Sequence, residues 1–206
     1  MNGLKNRLAA VAAGIAVACI LVPTATRAQS CINDTDPNLV KNGNFESGSG
    51  TNIPSWTVEW NSTVDPYVYL DTTNPHGGAQ DLALGTVNAP NDIVQRIKGT
   101  SAGTVYTICF WLFSSPNLTA GVTTFEVLWN NVTELSLTNS GQFPYQYLSL
   151  NVLAQGNNTD FLRFRERNKQ GFYYLDDVSV QVCKGCGLGA GGSPERGKQK
   201  ARFYGQ

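Results

Sequence analysis

A single histidine, His76, serves all 206 residues. That scarcity removes catalytic triads built on imidazole and histidine-rich metal centres. Charge is sparse as well, with Asp, Glu, Lys and Arg at 15% of the chain, and stretches of helical periodicity are nearly absent. Bases are few in the body: residues 31–183 hold fourteen acids against seven bases, a net of −7. A nucleic-acid binder needs a basic face instead, whereas an acidic body favours divalent cations. Glu59, Glu126 and Glu134 are present, but nothing in their spacing pairs them across a cleft as a glycosidase requires. No enzymatic activity is expected. The one long apolar run, 8–22, has 15 residues and falls short of the roughly 20 that span a bilayer.

That run follows Lys5 and Arg7 and leads through Pro23 to small residues before a cut after Ala28, the layout of an export signal over residues 1–28. Cys19, after Ala16-Val17-Ala18, is the alternative as a lipoprotein anchor, but more apolar chain follows it than such an anchor would leave. An exported domain over 31–183 is expected, and a Gly-rich, basic tail over 184–206 with five bases and one acid is expected to be disordered. Five sequons, at Asn33, Asn61, Asn117, Asn131 and Asn157, permit glycosylation of a secreted chain.

Strand formers alternate with turn signals through the body. The pattern predicts strands at 38–40, 56–60, 67–70, 79–84, 92–97, 105–113, 123–129, 134–137, 145–152, 160–167 and 172–182. Asn42-Gly43, His76-Gly77-Gly78, Asn139-Ser140-Gly141 and Gly156-Asn157 punctuate them. Short strands at this spacing make the fold class all-β, a two-sheet antiparallel β-sandwich or jelly roll. The step from Leu175 to Val178 is odd for a strand burying both, which places a bulge at Asp176-Asp177. Four cysteines remain after processing, an even count that favours disulfides in an exported chain. The two ends of the sandwich should be neighbours, so Cys31 is expected to bridge to Cys183 or Cys186. Cys109, in a central strand, is expected to be buried, with an unpaired thiol left open.

Four pieces then occur in order. They are 38–46 (Asn-Leu-Val-Lys-Asn-Gly-Asn-Phe-Glu) with Trp56 after it, and the 76–78 turn before Leu82-Ala83-Leu84. The third is 94–97 running to 103–112, and the fourth is Phe172-Tyr173-Tyr174-Leu175-Asp176-Asp177-Val178. Together they resemble the carbohydrate-binding modules of the group joining families four, nine and twenty-two, which are galactose-binding-like jelly rolls. The resemblance implies a structural calcium at the seam of the terminal segments. Glu46 and Asp176 would be its ligands, with Asp177 as the alternate and carbonyls of the 76–78 turn contributing. It also implies that Phe45 plugs the turn and that Trp56 is core.

Sugar sites in such sandwiches set aromatic faces against the apolar face of a pyranose, with polar side chains for the hydroxyls. Trp60, Trp111 and Trp129 are the candidate platforms, while Tyr67, Tyr69, Tyr145, Tyr147 and Tyr173 also fall in expected strands. Each also reads as core or sheet surface. Arg163, Arg165 and Arg167 share one strand face, where Arg165 could grip an anionic saccharide bidentately; a salt-bridged face is the plainer alternative. The function expected is a secreted, monomeric, non-catalytic domain holding a polysaccharide in a concave groove, without nucleic-acid or membrane partners. A structural or adhesive surface protein with the same jelly roll is the alternative.

Overall fold

The computed structural model describes residues 36–60, 67–86, 90–118 and 123–184; for Trp60 it describes the backbone alone. The expected signal 1–28, Cys31, Cys186 and all but the first residue of the expected tail lie outside the described residues. Ten strands follow one another: β1 (Thr57–Trp60), β2 (Val68–Asp71), β3 (Asp81–Leu84), β4 (Asn91–Ile97), β5 (Val105–Ser114), β6 (Thr124–Trp129), β7 (Val132–Thr138), β8 (Phe143–Leu153), β9 (Asp160–Arg167) and β10 (Tyr173–Val182). No helix occurs among the described residues. Segment 38–40 is not a strand, although Leu39 N–H still reaches the Val180 carbonyl at 3.0 Å. The remaining ten expected strands are present within a few residues of their predicted bounds.

The strands form two five-stranded sheets, ordered β1-β4-β9-β6-β7 and β2-β3-β10-β5-β8, and every pairing is antiparallel. The architecture is a jelly-roll sandwich. Period-two alternation is the cause: along β9, Leu162 and Phe164 are buried while Phe161, Arg163 and Arg165 are partly exposed. Inward positions of both sheets meet in one core, where Phe110, Phe125 and Phe164 contact each other.

The terminal segments are joined as a seam. Val178 N–H donates to the Gly43 carbonyl at 2.8 Å, and Asn38 Oδ1 accepts from Val180 N–H at 3.0 Å. Asn42 takes the left-handed turn conformation, at φ 51°. Gly43 serves a different need: a Cβ there would lie 2.1 Å from the Val178 carbonyl oxygen, so the close approach of the two segments requires glycine. Phe45 is fully buried beneath the turn and stacks on Trp56 at 5.7 Å, while Trp56 Nε1–H donates to the Asn42 carbonyl. The bulge is present: the β10–β5 register shifts between Asp176 and Ser179, and Asp177 has φ 50°.

Cys109 is buried and disulfide-bonded, and Cys183 is disulfide-bonded as well. Cys109 pairs with Ser179, and Cys183 N–H bonds the Val105 carbonyl. Four residues of strand thus separate them, about 13 Å of rise, too far for one bridge between them. The bonded state of Cys109 corrects the open alternative of a free thiol there.

Candidate functional site

The strongest constellation of rings lies on the outer face of the second sheet. Register puts Tyr69 opposite Ala83, Tyr174 opposite Ala83 and Phe113, and Trp111 opposite Asp176 and Tyr147. Across this face the rings touch in series. Phe172 meets Tyr67 at 6.2 Å, Tyr69 at 5.8 Å and Tyr174 at 6.1 Å. Tyr174 meets Phe113 at 5.4 Å, and Phe113 meets Tyr145 at 5.4 Å. Tyr145 then adjoins His76, which stacks flat on Trp111 at 3.9 Å and 18°, and Trp111 adjoins Tyr147. Most of these rings are half-buried, so they present area without being core. Small Ala83, fully buried, leaves room for the flanking tyrosines.

Carboxylates are set among the rings. Asp81 stands opposite Asp71 and is fully buried; Tyr145 O–H donates to its Oδ2 at 2.7 Å, while Oδ1 has no partner. Burial, with the Asp71 charge adding, pushes Asp81 up to about 6 despite the Tyr145 hydrogen bond. Asp176, also fully buried, accepts N–H bonds from His76 and Gly77 at 3.0 Å and from Asp177 at 2.7 Å. Burial pushes it up to about 7, the Gly77 bond opposing and the Asp177 charge reinforcing the rise. His76 Nδ1 lies 2.8 Å from Asp177 Oδ2.

For a calcium at the seam, Glu46 and Asp176 would have to turn oxygens toward one point among six to eight oxygen ligands. Instead Glu46 Oε1 accepts from Ala79 and Gln80 N–H, at 2.9 and 3.1 Å, and a Cβ at Gly78 would lie 2.3 Å from it. Both acids therefore cap the amides of the 76–80 loop. His76, Asp176 and Asp177 do offer one ligand atom each within 4.8 Å of one another. Glu46 is outside that group, and an imidazole–carboxylate set suits a transition metal better than calcium. A calcium held by Glu46 and Asp176 would therefore need the 76–80 loop to turn carbonyls toward it in place of the amides.

The other candidate residues are dispersed. Trp129 is 2% exposed, pairs in register with core Leu162, and its Nε1–H donates to the Leu153 carbonyl at 3.0 Å. It is core and not a sugar platform; its parity with Phe125 and Val127 along β6 is the sequence signal that places it inward. Trp60 ends β1 opposite Asn91. Trp111 joins the aromatic face, with the His76 imidazole stacked against it. Arg165 lies on the opposite sheet, where its Nε and Nη2 clamp both oxygens of Asp92 at 2.8 and 2.9 Å. Arg163 bonds Glu59 at 2.7 Å and also Asp92. The guanidinium groups are thus held by neighbouring acids rather than presented for an anionic saccharide. Register decides which rings adjoin, so the contribution of Phe113, Phe172 and Tyr174 to this face was missed from sequence.

Known structures share this architecture. A family 61 carbohydrate-binding module, TmCBM61, solved in complex with beta-1,4-galactotriose, superposes with a TM-score of 0.55 at 13% identity, over 71% of this chain and 99% of its own. The tandem CBM22-1-CBM22-2 domain of Paenibacillus barcinonensis Xyn10C gives 0.50 at 14%, over 80% of this chain and 50% of its own. The enzymatically active domain of bacteriophage CBA120 tailspike protein 4 gives 0.51 at 17%, over 71% of this chain and 21% of its own. No family model matches the chain, and no curated protein matches it. At these identities the likeness shows the fold alone: the chain is a jelly-roll sandwich of the kind found in carbohydrate-binding modules. No helix of the described residues is long and apolar enough to cross a membrane.

Proposed function

We propose that this is an exported, monomeric, non-catalytic carbohydrate-binding domain whose polysaccharide lies on the outer face of the second sheet. The observation that carries the reading is the series of touching, half-buried rings from Tyr69 through Phe172, Tyr174 and Phe113 to Tyr145. Such rings offer flat apolar area to the C–H faces of sugars, and the tyrosine hydroxyls and Asp71 offer partners to sugar hydroxyls. The jelly-roll likeness supports the same reading, since one of the similar structures holds a bound galactotriose. An open face with a few subsites implies affinities of roughly −4 to −8 kcal/mol, micromolar to millimolar. Asn117, Asn131 and Asn157 are exposed, which leaves them open to glycosylation in a secreted chain.

Affinity electrophoresis of residues 29–206 through gels containing soluble polysaccharides tests the site. At least one polysaccharide should retard the domain, Tyr174→Ala should lose about 1–3 kcal/mol of binding, and Arg165→Ala should bind as wild type. Retardation by none, or loss with Arg165→Ala alone, overturns the reading. Calcium at the seam is a separate proposal resting on the family resemblance, with Glu46 and Asp176 as ligands and Asp177 as the alternate. Thermal melts of a metal-free preparation with and without added calcium test it; identical melting temperatures rule it out.

A further inference from the structure

The outer face of the second sheet is as distinctive in charge as in rings. Its five strands contain Asp71, Asp81, Asp176 and Asp177 and not one Lys or Arg. Lys169 is in the turn that leads into β10, outside the sheet. Asp71 and Asp81 stand directly opposite each other in the β2–β3 register, a placement of like charges that is locally unfavourable. Asp81 Oδ1 lies fully buried without a hydrogen-bond partner. Tyr69 and Tyr174 flank Ala83 beside this pair, and the charge of Asp71 reaches both. Aromatic faces beside unneutralised carboxylates attract cations twice, through the ring quadrupole and through the charge. A polyanion would meet repulsion at the same place.

We propose that the polysaccharide held on this face is cationic, an amino-sugar polymer whose ammonium groups lie among Tyr69, Tyr174 and the Asp71–Asp81 pair. The inference rests on the sugar-binding reading and names the substrate class of that site. It stands in place of the anionic saccharide that Arg165 could grip, because Arg163 and Arg165 are on the other sheet and already bonded to Asp92 and Glu59. The net charge of −7 over residues 31–183 would also steer a polycation toward the domain.

Titration calorimetry with three oligosaccharides of equal length tests this: β-1,4-linked glucosamine, its N-acetylated counterpart, and galacturonate. Near-neutral buffer, above the value of about 6 to which Asp81 is pushed, keeps Asp81 ionised while a share of the glucosamine amines stays protonated. Glucosamine oligomers should bind about tenfold more tightly than the N-acetylated ones, a preference within reach of one or two desolvated cation–π contacts, and galacturonate should give no heat. Asp71→Asn should erase the preference for the amine, so that glucosamine and N-acetylated oligomers bind alike. Should that variant melt early, Tyr69→Phe, which keeps the ring, should retain the preference, whereas Tyr69→Leu should reduce it. Equal binding of amine and N-acetyl forms, or tighter binding of galacturonate, overturns the charge inference and leaves the sugar site standing. If neither these oligomers nor any neutral polysaccharide binds, the sugar-binding reading itself fails.

Discussion

Arg163 and Arg165 on the first sheet are gripped by Asp92, Glu59 and, at 4.0 Å, Glu126. The second sheet sets four aspartates beside a run of rings and has no strand cation at all. Both faces grow from the same antiparallel ladder. On the first, charge is neutralised within the sheet, so an incoming anion would have to break existing bonds to reach a guanidinium. On the second, no strand base offsets the facing Asp71 and Asp81 and aromatic area stays partly open, which costs the isolated fold some stability and creates complementarity to a ligand. A side chain's availability thus depends on whether its neighbours already satisfy it, more than on its residue type.

The sharpest way to break this contrast is Asp92→Ala, which leaves two partly buried guanidinium groups without their shared acceptor. Loss of one partner of a buried pair costs about 3–5 kcal/mol, and residual exposure of Arg165 puts the expectation at the lower end. Urea denaturation measures it; an unchanged midpoint would mean the ion pairs are ornamental. Binding on the second face should not change at the folded concentrations that remain. Next is Tyr145→Phe, which removes the hydrogen bond to Asp81 and leaves a buried carboxylate with neither oxygen paired, a loss of about 1–3 kcal/mol. The same denaturation measurement applies, and the variant should keep the ring contact with Phe113.

The response to pH follows from four buried acids. Burial first, and the Asp92 charge second, hold Glu166 well above the usual carboxylate range, and neither of its oxygens has a partner. Burial likewise pushes Asp81 up to about 6 and Asp176 up to about 7. Raised groups take up protons more readily in the folded state, so their contribution is fully present below the ordinary carboxylate value of about 4. It is lost as pH rises through the folded value. Asp160, at the opposite end of β9, has the reverse sign. Burial alone would raise it, but bonds from Thr100, Asn130, Gln155 and Gly156 outweigh that and leave it lowered. Its contribution is present above about 4 and lost on acidification. Denaturation midpoints should therefore be greatest in mildly acidic buffer and decline toward about pH 8, and Glu166→Gln should flatten the alkaline decline. A midpoint that climbs steadily to about pH 8 would contradict the burial of Glu166 and Asp81. The smallest effect belongs to Glu59→Gln. Its carboxylate is half-exposed, and such a pair is worth about 0–1 kcal/mol, a difference that should vanish in high salt.

Much of the fold was legible along the chain. Alternating apolar positions marked ten of the strands, Asn42-Gly43 marked the seam turn, and the odd step from Leu175 to Val178 marked the bulge at Asp176-Asp177. The site was less legible. Trp129 ends a strand beside Asn130 and Asn131 and so looks exposed, yet it shares the inward parity of Phe125 and Val127. Glu46 and Asp176 suggest a cation from their types alone, while in the fold they accept the amides of the 76–80 loop. Arg165 looks free until Asp92, 73 residues earlier, is seen to hold it.

Local pattern alone determined that this chain is an all-β sandwich with its terminal segments joined, because alternation, turn chemistry and the bulge are properties of neighbours in sequence. Only the tertiary structure decided which face has anything left to offer a ligand. That outcome depends on pairs such as His76 with Trp111, Tyr145 with Asp81 and Arg165 with Asp92, which lie tens of residues apart and meet only when strand register is set. The hydrogen bonds and charges that satisfy or strand a side chain act over a few ångströms of space, and distance along the chain does not record them.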